Sequence, residues 1–123
     1  MNDPERTSRS YELLAEAFGL PGSGRLIKLL PMILSADEAL WLAQLPATPG
    51  QLAERLRCTA DEARQMLRRL ADQGFVLRGE ETPTGLTYKR PEFGFFADSV
   101  LANPRYEPLG SAFYDAWREI YNH

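Results

Sequence analysis

The sequence predicts a mostly α-helical protein with one small β-hairpin. Two observations in its central part lead to this fold class. Three segments there begin with the capping-box pattern, in which Ser or Thr is followed three residues later by Glu or Gln. Two short runs with strand character, 75–78 and 86–90, then flank a polar segment that contains glycine. Additional helices are expected on both sides, because apolar residues recur there at helical spacing.

The N-terminal part of the chain is predicted to form two helices. The first covers about residues 7–18, where Tyr11 and Leu14 belong to an apolar stripe with helical spacing. The second covers about 24–34. Pro31 lies inside it and is expected to kink it or end it early, since proline donates no backbone hydrogen bond.

The three capping boxes predict where the next helices begin. They pair Ser35 with Glu38, Thr48 with Gln51, and Thr59 with Glu62. The predicted helices are 36–45, 49–56 and 60–73. Pro49 occupies the first helical position of the second one, where its missing N–H costs nothing. Gly74 is expected to end the third.

The rest of the chain is predicted to form the hairpin and a helical extension. Its strands are 75–78 and 86–90, and the turn is 79–85, which is rich in Gly, Glu, Thr and Pro. A short helix is expected at 98–102. A last helix is expected at 110–121, with aromatic residues along one side.

The 123 residues correspond to one domain, 1–123. We divide it into N-terminal helices (1–34), a central core (35–92) and a C-terminal helical extension (93–123). No apolar run approaches the roughly 18–20 residues needed to span a bilayer. The N-terminus also lacks the basic-then-apolar order of a signal peptide. We therefore expect a cytoplasmic protein without a membrane partner.

The composition argues against a metal centre and against catalysis. Cys58 is the only cysteine and His123 the only histidine. Neither a zinc site nor an iron–sulfur cluster can be built from Cys and His in such a chain. No pairing of a nucleophile with a base can be assembled either. We expect no cofactor, no metal and no enzymatic activity.

The charge is distributed unevenly along the chain. The net charge of −3 is a mild argument against strong nucleic-acid binding. Residues 1–47 hold four basic and six acidic side chains, and 93–123 hold two basic and four acidic ones. Residues 48–92 hold eight basic and seven acidic side chains, so the central core is the one part that is not net acidic.

One resemblance to a known family rests on three features. They are the spacing of the helices, the helix caps, and the glycine that precedes an apolar strand. Residues 51–56 and 60–77 resemble the winged helix-turn-helix family in its bacterial MarR/ArsR-like form. The resemblance covers about the middle third of the chain. It implies a winged helix-turn-helix core with additional N- and C-terminal helices, and the function of a DNA-binding transcriptional regulator.

The flanks carry a second resemblance. Residues 11–24, 95–99 and 113–119 look like the N-terminal winged-helix region of certain bacterial 4Fe-4S ferredoxin-type proteins, in which CxxCxxCxxxCP clusters follow. This chain contains no such motif, and Cys58 cannot replace one. The resemblance implies the alternative function, a protein-interaction module, as in the N-terminal part of an iron–sulfur redox protein whose cluster domain is absent from this sequence.

In a helix-turn-helix protein, the exposed face of the second helix reads the major groove of double-stranded DNA. The candidate DNA-binding residues are Arg64, Gln65, Arg68 and Arg69 on the third core helix and Arg78, Lys89 and Arg90 in the hairpin. Arginine can bind guanine and glutamine can bind adenine through two hydrogen bonds. The other cations are suited to phosphates.

Four carboxylates oppose this interpretation. Asp61 and Glu62 lie in the first turn of the third core helix, where they suit the helix dipole but not a polyanion. Glu80 and Glu81 lie at the predicted hairpin tip. Glu62 is also a capping residue, and a carboxylate can accept a hydrogen bond from cytosine. DNA and a protein partner therefore both remain open.

The aromatic residues and the cysteine each allow a further interpretation. The aromatic residues concerned are Trp41, Phe93, Phe95, Phe96, Phe113, Tyr114 and Trp117. They indicate a core and a homodimer contact through the terminal helices rather than a ligand cage. Cys58 lies beside Arg57 and near a helix N-terminus, which can lower a thiol pKa and permit redox sensing. An ordinary turn residue is the interpretation that we favour.

Overall fold

The computed structural model describes residues 4–83 and 85–121. Within these ranges the protein is mostly helical, with seven α-helices, two short 3-10 helices and one two-stranded antiparallel sheet. The chain divides into two compact units. We call 44–91 the central unit. The described residues up to Ala43, together with those from Glu92 onward, form the flanking unit.

The flanking unit contains five of the α-helices. They are α1 (Pro4–Ala17), α2 (Gly24–Leu29), α3 (Ala36–Ala43), α6 (Phe93–Ala102) and α7 (Gly110–Tyr121). Its 3-10 helices are Leu30–Met32 and Pro104–Leu109. The central unit contains α4 (Pro49–Leu56), α5 (Ala60–Asp72), β1 (Leu77–Thr82) and β2 (Gly85–Lys89).

The core of the flanking unit is built around aromatic rings. α1 packs against α3, and both α2 and α6 pack against α7. Trp117 is fully buried, with its ring centroid 6.0 Å from that of Phe96 and 6.3 Å from that of Phe113. The buried Tyr11 hydroxyl donates a hydrogen bond to the Leu34 carbonyl oxygen at 2.8 Å, which fixes α1 to the chain before α3.

The three predicted capping boxes are confirmed. In each box the Ser or Thr hydroxyl accepts a hydrogen bond from the amide three residues later, and the side chain at that later position accepts one from the capping residue's own amide. These paired bonds satisfy amides that a helix N-terminus otherwise leaves without partners. The starts of α3, α4 and α5 therefore agree with the sequence prediction.

Four predicted helices have boundaries that differ from the structure by two residues or more. α1 begins at Pro4 rather than at about 7, and α3 ends at Ala43 rather than at 45. The expected helix at 24–34 ends as an α-helix at Leu29 and continues as a 3-10 helix, which contains Pro31. The short helix expected at 98–102 begins instead at Phe93. Its extra turns bury Phe96 in the core, so packing of this side chain extends the helix although no side chain caps its N-terminus.

The hairpin is longer than predicted. Strand β1 runs through residues 79–82, which the sequence had suggested as part of the turn. Gly79 explains the close pairing, because a Cβ atom there would lie 3.1 Å from the Thr87 carbonyl oxygen. Phe75 is fully buried and precedes β1 rather than belonging to it. The pairing register shifts between Arg78 and Glu81, as in a β-bulge.

The aromatic side chains divide between core and surface. Phe96, Phe113 and Trp117 are buried, whereas Phe95 is 53% exposed. The prediction of a packed aromatic core is therefore confirmed for the first three, and the dimer contact stays a prediction. None of the helices within the described ranges combines the length and the apolar character needed to cross a bilayer.

The capping box at the start of α5 is expected to be measurable in the stability of the protein. Thr59→Ala removes the hydroxyl that accepts the Glu62 amide at 3.1 Å. It should lower the free energy of unfolding by about 1 kcal/mol. Urea denaturation followed by circular dichroism measures this change. Thr59→Ser keeps the hydroxyl on this exposed residue and is the matched control. An equal loss in both variants would contradict the role assigned to the cap.

Candidate functional site

The candidate site lies in the central unit, on the face of α5 opposite its buried side. Ala63, Leu67 and Leu70 are buried, and they form the apolar stripe by which α5 packs. α4 packs against α5 across a tight turn. In this turn Arg57 adopts a left-handed conformation, with φ of 55°. These contacts fix the direction of the opposite face of α5.

The exposed face of α5 carries the four predicted residues Arg64, Gln65, Arg68 and Arg69. Two of them have partners within the helix. Arg64 forms an ion pair with Asp61 at 2.8 Å, and both side chains are largely exposed. Arg69 donates a hydrogen bond to the Met66 Sδ atom at 3.1 Å. An exposed ion pair of this kind contributes less than about 1 kcal/mol, so Arg64 remains available to another anion.

The hairpin is joined to the chain that precedes α4 through the backbone of Tyr88. The Tyr88 amide donates to the Ala47 carbonyl oxygen at 2.8 Å, and the Ala47 amide donates to the Tyr88 carbonyl oxygen at 3.0 Å. On its other edge, Tyr88 lies directly opposite Arg78 in β1. Side chains of directly opposed residues lie on the same face of an antiparallel pair. Arg78 and Tyr88 therefore share one face of the hairpin.

A cleft of about 220 Å³ lies between this hairpin face and α5. The residues that line it include Arg64, Arg68 and Asp72 from α5, Val76 from the connection, and Arg78 and Tyr88 from the hairpin. Three of the seven predicted DNA-binding residues thus meet around one space. They line it together with the half-exposed Tyr88 and with one carboxylate, that of Asp72.

The two remaining hairpin cations do not line this cleft. Lys89 is exposed and lies opposite Leu77 in the register, so it belongs to the other face of the hairpin. Arg90 is half-buried, and its guanidinium donates to the Leu45 carbonyl oxygen at 2.8 Å. Burial lowers the pKa of Arg90 from its ordinary value. Arg90 therefore connects the end of β2 to the chain before α4.

The acidic residues of the central unit reduce its positive charge without cancelling it. Residues 44–91 contain eight basic and six acidic side chains. The Glu62 carboxylate accepts hydrogen bonds from the amide and the hydroxyl of Thr59, at 3.3 and 3.0 Å. Glu80 and Glu81 are exposed on β1, beyond Arg78. The cations are therefore densest beside the middle of α5 and the base of the hairpin.

Cys58 has the opposite electrostatic environment from the one that redox sensing requires. Its thiol pKa is raised, first by desolvation and second by the negative charge of Glu62. A raised pKa leaves less of the reactive thiolate at neutral pH. Desolvation and the capping carboxylate therefore oppose the redox role, and Cys58 fits the interpretation of an ordinary turn residue.

Sequence reasoning did not select Tyr88 or Asp72 as site residues. Asp72 carried a usable signal, whereas Tyr88 did not. Asp72 lies four residues after Arg68 and eight after Arg64, which places all three on one side of a helix. Tyr88 belongs to the alternating strand 86–90, but its partner in β1 depends on where the turn lies.

The chain does not supply the ligands of an iron–sulfur cluster, because it has one cysteine. Within residues 4–83 and 85–121, no group of three His, Cys, Asp or Glu side chains is placed to hold a metal ion. Comparison of the chain with protein-family models, with curated proteins and with solved structures returned no match. The site is therefore interpreted from its own geometry.

The structural role of Arg90 can be tested by comparison with its exposed neighbour Lys89. Arg90→Ala removes the hydrogen bond to Leu45 and should lower the free energy of unfolding by about 1–2 kcal/mol. Lys89→Ala removes an exposed neighbouring cation and should change it by less than about 0.5 kcal/mol. Urea denaturation compares the two. If Arg90→Ala is as stable as Lys89→Ala, the structural role of the guanidinium is wrong.

Proposed function

We propose that the central unit is a winged helix-turn-helix that binds double-stranded DNA as a non-enzymatic transcriptional regulator. One observation carries the proposal: Arg64 and Arg68 of α5 and Arg78 of the hairpin surround the same cleft. With this arrangement, α5 can enter the major groove while the hairpin contacts the adjacent phosphate backbone. Such a regulator would act in the cytoplasm.

Each residue of the exposed face has a role in this proposal. Arg64 and Gln65 lie toward the N-terminal half of α5, the part of a recognition helix that approaches base edges. Arg64 would bind guanine and Gln65 adenine. Arg68, Arg69 and Arg78 would bind phosphates and set the register of the protein on the duplex, as would the exposed Lys89. Arg90 contributes by holding the hairpin in place.

The carboxylates at the start of α5 are compatible with DNA because both already interact with protein groups. Asp61 accepts from Arg64, and Glu62 accepts from Thr59. The first contact is exposed and easily exchanged, so Arg64 can turn to a base while Asp61 returns to water. Glu80 and Glu81 repel the backbone near the end of the hairpin. We therefore expect an affinity that depends strongly on salt.

The DNA proposal predicts a specific response to salt. The full chain should bind a mixed-sequence duplex at about 50 mM salt, where non-specific affinity alone suffices. Arg68→Ala should weaken this binding about 3- to 10-fold. It should also lower the slope of log affinity against log salt by about 0.9, the value for one phosphate contact. Fluorescence anisotropy with a labelled duplex measures both quantities.

The control is Arg9→Ala, which removes an exposed arginine from α1 in the flanking unit. It changes the net charge by the same amount and should leave affinity and slope unchanged. Absence of binding at about 50 mM salt would refute DNA binding. An equal effect of the two variants would refute the assigned surface.

A second candidate function is protein contact, favoured by exposed apolar side chains on the flanking unit. Met32, Phe95 and Leu109 are 48%, 53% and 39% exposed. The resemblance of the flanks to ferredoxin-type proteins suggests an iron–sulfur redox domain as the partner class. The terminal helices would also supply a homodimer contact. Sedimentation velocity of the wild-type chain and of Phe95→Ala decides whether this surface pairs two copies.

A further inference from the structure

We infer that the cleft between α5 and the hairpin is a binding site for one phosphate group, either of a DNA backbone or of a small phosphate monoester. All of its lining residues belong to the central unit. The phosphate site itself stands without the proposed function. Its regulatory consequence, competition between a free phosphate monoester and DNA, rests on that function.

The side chains come from two elements that converge on the cleft. Arg64, Arg68 and Asp72 follow one another at intervals of four residues, so they form one row along α5. Arg78 approaches from β1, next to Tyr88. Guanidinium groups that reach an anion from two elements can bind different oxygens of the same phosphate.

The charges around the cleft match a phosphate better than a carboxylate. Three guanidiniums and one carboxylate give the lining a formal charge of +2. A phosphate monoester carries about −1.5 to −2 at neutral pH and offers three acceptor oxygens. Arg64 shares its charge with Asp61. Among the described residues, neither the Arg68 nor the Arg78 side chain has a hydrogen-bond or ion-pair partner. These two are therefore the main anion ligands.

The volume leaves space for more than the phosphate. About 220 Å³ corresponds to several water molecules at about 30 Å³ each. Tyr88 and Val76 give the lining an aromatic and an apolar surface, against which a small ring can pack. Asp72 repels the phosphate and directs it toward Arg64 and Arg68. The ligand class is a phosphate monoester of a small aromatic or apolar group.

Phenyl phosphate is the probe, and the full chain is titrated with it while amide and arginine Nε–H resonances are followed by NMR. Binding should be saturable, with shifts at α5 and the hairpin. Arg68→Ala and Arg78→Ala should each weaken it roughly 10-fold. Arg9→Ala removes an exposed arginine of the flanking unit, outside the cleft, and should change it less than 2-fold. Phenol, which has the ring without the phosphate, should not bind.

Asp72→Asn is a control for the possibility that the arginine variants lose binding because they do not fold. Removing this carboxylate should tighten phenyl phosphate binding about 3-fold, a gain that misfolding cannot produce. Binding that is not saturable, or that Arg9→Ala weakens as much as Arg68→Ala, would overturn the site. So would an unchanged affinity in Asp72→Asn.

Competition separates the two sources of phosphate. If phenyl phosphate binds and displaces a labelled duplex, both the site and its regulatory consequence are supported. If phenyl phosphate binds but no duplex does, the site stands and the DNA function fails. If a duplex binds while phenyl phosphate does not, the cleft does not accept a free phosphate monoester and this inference is overturned, whereas the DNA function stands.

Discussion

The position of the hairpin beside α5 depends on the backbone of Tyr88. Its amide and carbonyl groups exchange hydrogen bonds with Ala47 at 2.8 and 3.0 Å, while Arg78 lies opposite on the other edge. The Arg90 side chain adds a second connection between the same two segments, through its hydrogen bond to the Leu45 carbonyl oxygen at 2.8 Å. A slip by one residue would turn Tyr88 and Arg78 to the other face of the hairpin. The cleft exists because this register is fixed.

The end of α5 provides the matching constraint from the helical side. Gly74 adopts a positive φ of 83°, and the Phe75 amide donates to the Leu70 carbonyl oxygen at 3.0 Å. This pattern closes the helix and turns the chain toward the hairpin. Phe75 is fully buried directly after the turn. Arg68 and Arg78 therefore approach the same cleft although they belong to different elements.

The sequence was sufficient for the starts of the three helices with capping boxes and insufficient for the start of α6 and for the register of the hairpin. The caps at Thr48 and Thr59 depend on residues three apart, so local chemistry determines them. The extent of β1 depends instead on the close approach of Gly79 to Thr87, a contact between strands that composition does not encode. The two site arginines of α5 could be selected from helical spacing, whereas the place of Tyr88 opposite Arg78 and the burial of Arg90 required the fold.

We propose that α5 and the hairpin together form the surface that contacts DNA. The most direct measurement is a map of backbone amide shifts in ¹H–¹⁵N NMR spectra of the full chain, with and without a duplex of about 15 base pairs. If these two elements bind the duplex, the changes should concentrate in residues 60–72 and 77–89. Changes concentrated in α6 and α7, with those two segments unaffected, would contradict it.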